Sequence, residues 1–188
     1  MLRETSGPES WNVAKVLSNL GLVRLDRGDY PGAERYARQA LEMRRKLGGE
    51  QHPDVATSLT DVAVAREFQG DAAGAEPLLR NALDIRKKLL PPRHPAIIAA
   101  ETRLGEALTY EGKLQLAEPI LREAVNSAHN EPFPLLPWQV AEPQNALGFC
   151  LARLGHTSEA ENLLQNTRTS LQSYPEPGLR RWMLRRVS

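Results

Sequence analysis

Residues 56–82, ATSLTDVAVAREFQGDAAGAEPLLRNA, contain a pattern that recurs on both sides at a fixed interval. Gly28, Gly70 and Gly112 are 42 residues apart, and Gly155 follows after 43. Alanines keep the same register, five or twelve residues after these glycines, at Ala33, Ala75, Ala117 and Ala160, and at Ala40, Ala82 and Ala124. A repeat of this length is one supersecondary unit, whose apolar face is buried only when neighbouring units stack. The sequence therefore predicts a solenoid.

Each unit contains two apolar runs at helical spacing, joined by a glycine and a short polar step. Glycine adopts the left-handed conformation that ends a helix without steric cost, and Asp29 or Asp71, the next residue, can cap the following helix. The recurring alanines are expected where two helices approach too closely for a longer side chain. Each unit is therefore predicted to be a helical hairpin.

Three short motifs recur in one register. A Leu-Gly or Val-Ala step stands at residues 20–21, 62–63, 104–105 and 147–148, an Ala-Glu step begins at 33, 75, 117 and 160, and His-Pro begins at 52 and 94. Over about residues 11–173 the chain thus resembles the tetratricopeptide repeat family, in the longer form found in kinesin light chains and many bacterial signalling proteins. The resemblance implies an all-α fold, a right-handed α-solenoid of four helical hairpins plus a C-terminal capping helix.

The expected domain organisation follows this register. The first helix is predicted to begin near Ser10 and to run to about Arg27, and its partner to follow from Pro31. The linker 129–137, HNEPFPLLP, is long and rich in proline, so a bend or gap in the stacking is expected there. The predicted segments are a flexible lead-in at 1–9, a repeat array at 10–173 with units at about 10–48, 52–90, 94–129 and 137–173, and the capping helix at 174–188.

The last segment ends in LRRWMLRRV, residues 179–187. Leu179, Met183 and Val187 share one helical face with Trp182 beside them, while arginines occupy most of the other face. This pattern favours a helix that caps the fourth hairpin. Two alternatives stay open, a segment of a longer repeat array and a basic amphipathic helix that binds a membrane or a partner.

Composition narrows the class of protein. The chain has 188 residues, of which 41% are hydrophobic and 5% aromatic, and a formal charge of +1, so it offers no strong field for nucleic acid or an anionic membrane. Cys150 is the single cysteine, which excludes an intramolecular disulfide and is typical of a reducing compartment. No apolar run is long enough to span a bilayer. We expect a cytoplasmic protein that binds neither nucleic acid nor membrane.

No set of residues has the pattern of an active site or a metal centre. His52 and His94 lie one repeat apart, which explains their recurrence structurally. The basic ends of two helices, residues 44–46 and 86–88, are interpreted as solvated termini that complement the helix dipole, with a patch for phosphate or an acidic partner as the alternative. We therefore expect no enzymatic activity, no cofactor and no metal.

The resemblance also implies where a partner binds. In the family, the first helix of each unit lines a concave groove, so the chain is expected to be a protein–protein interaction scaffold that binds a peptide or a partner helix. Short hydroxyls are expected to leave room for a ligand backbone, and apolar members to take anchors. The positions carried over are Lys15, Ser18, Leu22, Leu25, Thr57, Thr60, Val64, Glu67, Thr102, Glu106, Thr109, Asn145 and Phe149.

Three further interpretations accompany this prediction. Thr60-Asp61 stands where kinesin light chains commonly have Asn-Asn, so their peptide specificity is not implied. The fourth unit resembles the regions that follow serine/threonine kinase domains in bacteria. The favoured context is therefore the regulatory region of such a protein. The alternatives are a solvated groove without a ligand, and a structural module that self-associates through its terminal units.

Overall fold

The computed structural model describes residues 9–130 and 135–172. Within these ranges the chain contains eight α-helices and no strand. Their bounds are α1 Trp11–Asp26, α2 Tyr30–Gly48, α3 Pro53–Phe68, α4 Ala72–Leu89, α5 Pro95–Tyr110, α6 Leu114–His129, α7 Pro137–Leu154 and α8 Thr157–Gln172. The first helix begins and ends within a residue of its predicted bounds, with Ser10 as its N-cap.

Successive helices pair into four hairpins, and the second helix of each hairpin packs on the first helix of the next. One continuous cluster of buried side chains runs from Ala63 in α3 to Ala160 in α8, through Leu104, Leu121 and Leu151. The predicted all-α solenoid of four hairpins is confirmed. The predicted capping helix lies outside the described residues, and the right-handed superhelix stays a prediction.

The turns inside the hairpins are built as the glycine pattern predicts. Gly28 and Gly70 have φ angles of 77° and 82°, in the left-handed region. The next residue, Asp29 or Asp71, donates its backbone N–H to the carbonyl five residues earlier, at 2.9 Å in both turns. The Asp29 Oδ1 atom then accepts from the Gly32 N–H at 3.0 Å, which caps α2.

The recurring alanines lie where the two helices of a hairpin meet. All four alanines that follow the turn glycines are buried, and Ala75 is wholly inaccessible. The first helix of a hairpin also has a small residue at this crossing. In the third hairpin it is Gly105 of α5, where an added Cβ atom would overlap the Leu121 side chain of α6. Small residues on both sides therefore set the distance between the paired helices.

The His-Pro motif starts a helix. The Nδ1 atoms of His52 and His94 accept the backbone N–H groups of Asp54 and Ala96 at 3.1 Å, so each imidazole is a helix N-cap. The proline that follows occupies the first turn, where its missing N–H costs no hydrogen bond. The structural interpretation of the recurring histidines is confirmed.

Three glutamates on the second helices, 42 residues apart, tie neighbouring hairpins together. Each pairs with an arginine four residues later on its own helix and is linked to the next hairpin. Glu34 accepts from Arg66 at 3.0 Å and from Gln69 at 2.9 Å, while Arg122, the partner of Glu118, reaches Glu159 at 2.8 Å. The pairs are Glu34–Arg38, Glu76–Arg80 and Glu118–Arg122, and Glu76 also binds Lys113.

The stacking of the first helices differs at the fourth hairpin. Helix α7 lies against α5 over a much greater length than α3 lies against α1. The change is therefore a closer approach of two first helices, and not a gap.

Replacement of Ala75 by leucine should destabilise the protein by about 1 to 3 kcal/mol, because a branched side chain would force α3 and α4 apart. The matched control is Ala73→Leu on the same helix, where the side chain is exposed. Chemical denaturation measures both free energies of unfolding. Equal stability of the two variants would show that Ala75 does not set the helix spacing.

The Glu34 pair predicts a pH dependence. Burial alone raises the pKa of Glu34, but hydrogen bonds from Gln69, Arg66 and Arg38 outweigh it and lower the pKa to about 2. Because this pKa lies below the ordinary value of 4.5, ionised Glu34 stabilises the fold above about pH 4.5, and the contribution is lost as the pH falls towards 2. Glu34→Gln should therefore cost about 1 to 2 kcal/mol at neutral pH, after allowance for solvent screening, and less in acid.

The control for this pH series is Glu161→Gln, which removes the exposed glutamate at the same register of the fourth hairpin. Denaturant unfolding of both variants and the unmodified protein gives the comparison. A constant cost of Glu34→Gln from neutral pH down to about pH 3 would contradict the ionic account.

Candidate functional site

The predicted binding positions lie on the first helices of the hairpins, α1, α3, α5 and α7. We call the solvent-facing side of these four helices, where those positions fall, the first-helix surface. Side chains of neighbouring first helices interact across this surface. The Ser18 side chain of α1 lowers the pKa of Asp61 in α3. Glu67 of α3 lies 3.9 Å from Arg103 of α5, and the ring centroids of Tyr110 and Phe149 are 5.7 Å apart. The surface is therefore continuous from the first hairpin to the fourth.

Eleven of the predicted residues reach this surface. The exposed ones are Lys15, Leu22, Thr57 and Phe149, and the half-buried ones are Ser18, Leu25, Thr60, Val64, Glu67, Glu106 and Asn145. Val64 and Phe149 lie at the same step of their helices as Leu22, so apolar side chains recur along the surface.

Thr102 and Thr109 on α5 are buried, which removes them from the predicted site. Their hydroxyls donate to the carbonyls of Ile98 and Gly105 within the same helix, at 2.9 and 2.7 Å. Thr60 does the same on α3, at 3.0 Å from the Ala56 carbonyl. All three hydroxyls therefore donate to backbone carbonyls of their own helices.

The close approach of α7 explains this burial. Arg153 of α7 donates to the Thr109 carbonyl, and the buried Cys150 thiol, also on α7, interacts with the Thr109 side chain. Of the residues that follow the two threonines, Tyr110 is exposed and Arg103 is half-buried. Their size and polarity, beside two small threonines, were the available signal that the sequence analysis missed.

Tyr110 and Phe149 form an exposed aromatic pair. Tyr110 is 68% exposed and Phe149 is 44% exposed, and their rings are inclined at 45°. Phe68 is also exposed, at the corresponding end of α3, and stacks on Tyr30 at 5.3 Å. Adjacent exposed apolar side chains are typical of surfaces that bind a partner.

Charged side chains lie beside the aromatic pair. Arg103 contacts Glu106 at 3.1 Å and Glu67 at 3.9 Å, so one guanidinium stands between two carboxylates. All three side chains are partly buried, which reduces screening by water. This group can recognise both donors and acceptors of a polar ligand.

The interpretation of residues 44–46 as a solvated helix end is wrong for Arg44. This residue is 7% exposed and donates to the Ser58 hydroxyl and to the Asp54 carbonyl. Burial raises the pKa of Asp61, while the charges of Arg44 and Arg86 and a hydrogen bond from Ser18 lower it and only partly offset burial. A basic sequence at a helix end thus supplies an internal ionic cluster.

In the second basic end, residues 86–88, Lys87 and Lys88 are exposed and Arg86 is half-buried. Lys87 binds the carboxylate of Glu101 at 2.7 Å, and Glu101 is buried. Burial raises the pKa of Glu101, and the Lys87 ammonium opposes this shift. Burial likewise lowers the pKa of Arg86, which Asp61 opposes.

Neither a metal cluster nor a membrane span is found in the part of the chain that the structure describes. No group of three or more histidine, cysteine, aspartate and glutamate side chains in residues 9–130 and 135–172 could hold a metal ion. No helix in these ranges is long and apolar enough to cross a bilayer.

Comparison with known proteins now identifies the repeat. Residues 12–88 match the family model described as tetratricopeptide repeat. Residues 12–88 therefore carry tetratricopeptide repeats. No curated protein sequence matches the chain. The match covers the first two hairpins, and the same turn glycines and buried alanines recur in the other two.

Solved structures with the same fold support this assignment. A Podosopora anserina protein described as a kinesin light chain with nearly identical TPR-like repeats is 23% identical, covers 89% of this chain and 79% of its own, and has a TM-score of 0.72. BtubC (BKLC) from P. vanneervenii is 18% identical over 93% of this chain and 72% of its own, with a TM-score of 0.78.

A Rap protein complexed with competence and sporulation factor is 18% identical, with a TM-score of 0.72. It covers 85% of this chain, which spans only 43% of the Rap protein. At these identities the likeness to solved structures concerns the fold alone.

The ionic cluster gives a prediction for this site. Arg44→Met should destabilise the protein by about 3 kcal/mol, because it removes the hydrogen bonds to Ser58 and Asp54 and the positive charge that favours the ionised carboxylate of the half-buried Asp61. Asp61→Asn in the same chain should recover part of that loss. Denaturant unfolding of the two single variants and the double variant gives the coupling energy.

Arg35→Met, an exposed arginine on the same helix, is the control and should change stability little. Additive costs for Arg44→Met and Asp61→Asn would mean that the two side chains do not interact.

Proposed function

We propose that the protein is a non-catalytic protein–protein interaction scaffold that binds an extended peptide or a partner helix across its first-helix surface. The observation that carries the proposal is the exposed Tyr110–Phe149 pair, which lies on this surface at the junction of the third and fourth hairpins. Tetratricopeptide arrays bind protein or peptide partners, and stacked hairpins present an extended surface suited to them.

The aromatic pair supplies the apolar anchor. Aromatic side chains offer a large contact area at a low cost in conformational entropy, and they dominate many interfaces. Tyr110 also carries a hydroxyl that can bond to a ligand backbone. A leucine, proline or aromatic side chain of the ligand would bury both rings.

The charged part of the surface lies next to the aromatic pair and adds polar contacts for the ligand. Glu67, Arg103 and Glu106 lie on adjacent helices and present both signs of charge. A ligand that lies from α3 to α7 would thus meet a polar stretch and then the aromatic pair. We infer a peptide of mixed polar and apolar character.

The cellular context is part of the proposal. We place the array in the regulatory region of a bacterial signalling protein in the cytoplasm. The Rap protein structure, which has the same fold and is a complex with competence and sporulation factor, supports this context by analogy. The buried free thiol of Cys150 is compatible with a reducing compartment.

A library of random linear peptides displayed on phage tests the proposal without a known partner. Peptides enriched on the unmodified protein should bind Phe149→Glu at least about tenfold more weakly, because the substitution places a charge in the centre of the apolar contact. Fluorescence anisotropy with a labelled, enriched peptide measures the dissociation constants.

The matched control is Leu116→Glu, which changes a leucine that is also about half exposed but lies on a second helix, α6. Its affinity should equal that of the unmodified protein, and both variants should melt at the original temperature. Equal binding by Phe149→Glu, or a loss in Leu116→Glu alone, would place the ligand elsewhere.

A further inference from the structure

A stripe of apolar side chains on α1 faces solvent. Val16, Leu20 and Val23 are spaced four and three residues apart, on one side of the helix, and are 56%, 40% and 47% exposed. The opposite side of α1 is buried against α2, at Ala14 and Gly21. The three residues are called the α1 stripe below.

The equivalent positions in the later hairpins are helix-packing positions. The residues at the stripe's three positions in the later hairpins are all buried under the second helix of the preceding hairpin. They are Ser58, Val62 and Ala65 in α3, Ala100, Leu104 and Ala107 in α5, and Pro143, Leu147 and Cys150 in α7. The α1 stripe therefore has the position of a helix-packing surface, and two of its residues are larger than most of their buried counterparts.

Helix α8, the last helix that the structure describes, does not complement this stripe. Leu41 of α2 and Leu83 of α4 belong to the clusters that cover the next first helix. The equivalent residue of α8 is Arg168, which is exposed, and the described residues of α8 expose no large hydrophobic side chain. Contact between α8 of one copy and the α1 stripe of another would place an arginine on apolar side chains, so this contact is disfavoured.

The stripe does complement itself. In an antiparallel pair of α1 helices related by a two-fold axis near Leu20, Val16 of one copy meets Val23 of the other. An isologous contact of this kind closes at two copies and buries apolar side chains on both sides. A single helix pair covers a small interface, so the dimer forms in a concentration-dependent way.

Charges beside the stripe fit the same arrangement. Lys15 and Asp26 are exposed, lie on the same flank of the stripe and stand near opposite ends of α1. In the antiparallel pair the flanks that carry these charges face each other and each lysine approaches the aspartate of the other copy, whereas in a parallel two-fold pair the same flanks lie on opposite sides of the contact. Such flanking pairs contribute little free energy but select the orientation of paired helices.

We propose that the α1 stripe is a self-association surface, at which a second copy of this chain docks its own α1 in antiparallel orientation. The surface is separate from the aromatic pair of the first-helix surface, so dimerisation and ligand binding at Tyr110 and Phe149 are independent properties.

Analytical ultracentrifugation of the full chain over a wide range of concentrations tests the proposal. The mass should rise from that of one chain, 20.9 kDa, to that of two. Leu20→Lys should weaken the dimer at least about tenfold, since it buries a charge in the contact. Leu116→Lys, at an exposed leucine of α6, should leave the dimer unchanged.

A charge exchange tests the orientation. Lys15→Glu should weaken the dimer severalfold, and the double variant Lys15→Glu, Asp26→Lys should restore it. Circular dichroism checks that each variant keeps its helices. The proposal is overturned by one-chain mass at every concentration up to the solubility limit, by a dimer that tolerates Leu20→Lys, or by a double variant that is no tighter than Lys15→Glu alone.

Discussion

The close approach of paired helices at small side chains is the constraint on which the structure depends. Ala75 and its three equivalents are buried where the two helices of a hairpin meet, and Gly105 has no room for a Cβ atom. This spacing fixes the shape of one hairpin, and the 42-residue register then repeats it. Stacked hairpins bury apolar clusters, one of which runs from α3 to α8, while ion pairs of Glu34 with Arg66, Glu76 with Lys113 and Arg122 with Glu159 join neighbouring hairpins at the surface.

The binding surface follows from this stacking but is not uniform along it. Between α5 and α7 the first helices come close together, so small side chains such as Thr109 are covered and larger ones are left at the edge. Tyr110 and Phe149 are therefore presented as a pair across two hairpins. A modest change in the packing of one unit thus creates a feature that the regular repeat lacks.

The fold could be predicted from the sequence because turn glycines, buried alanines and His-Pro steps each have a local physical cause that repeats. The candidate site was harder, since a position carried over from the register does not fix the rotation of a helix against its neighbour. For this reason Thr102 and Thr109, which were predicted to line the groove, are buried. Arg44 was misinterpreted because a basic residue in the last turn of a helix is usually solvated, and only tertiary packing brings Ser58 and Asp61 to it. The glutamates at positions 34, 76 and 118 could be recognised from the recurring Ala-Glu step, but their contacts with the next hairpin could not.

The most direct test of the proposed scaffold is a crystal structure of the protein with a linear peptide selected for binding to it. The account predicts that the peptide lies across α3, α5 and α7, with an apolar side chain on the rings of Tyr110 and Phe149 and polar groups near Arg103. A peptide bound only to the second helices, with both rings still exposed to solvent, would contradict the account.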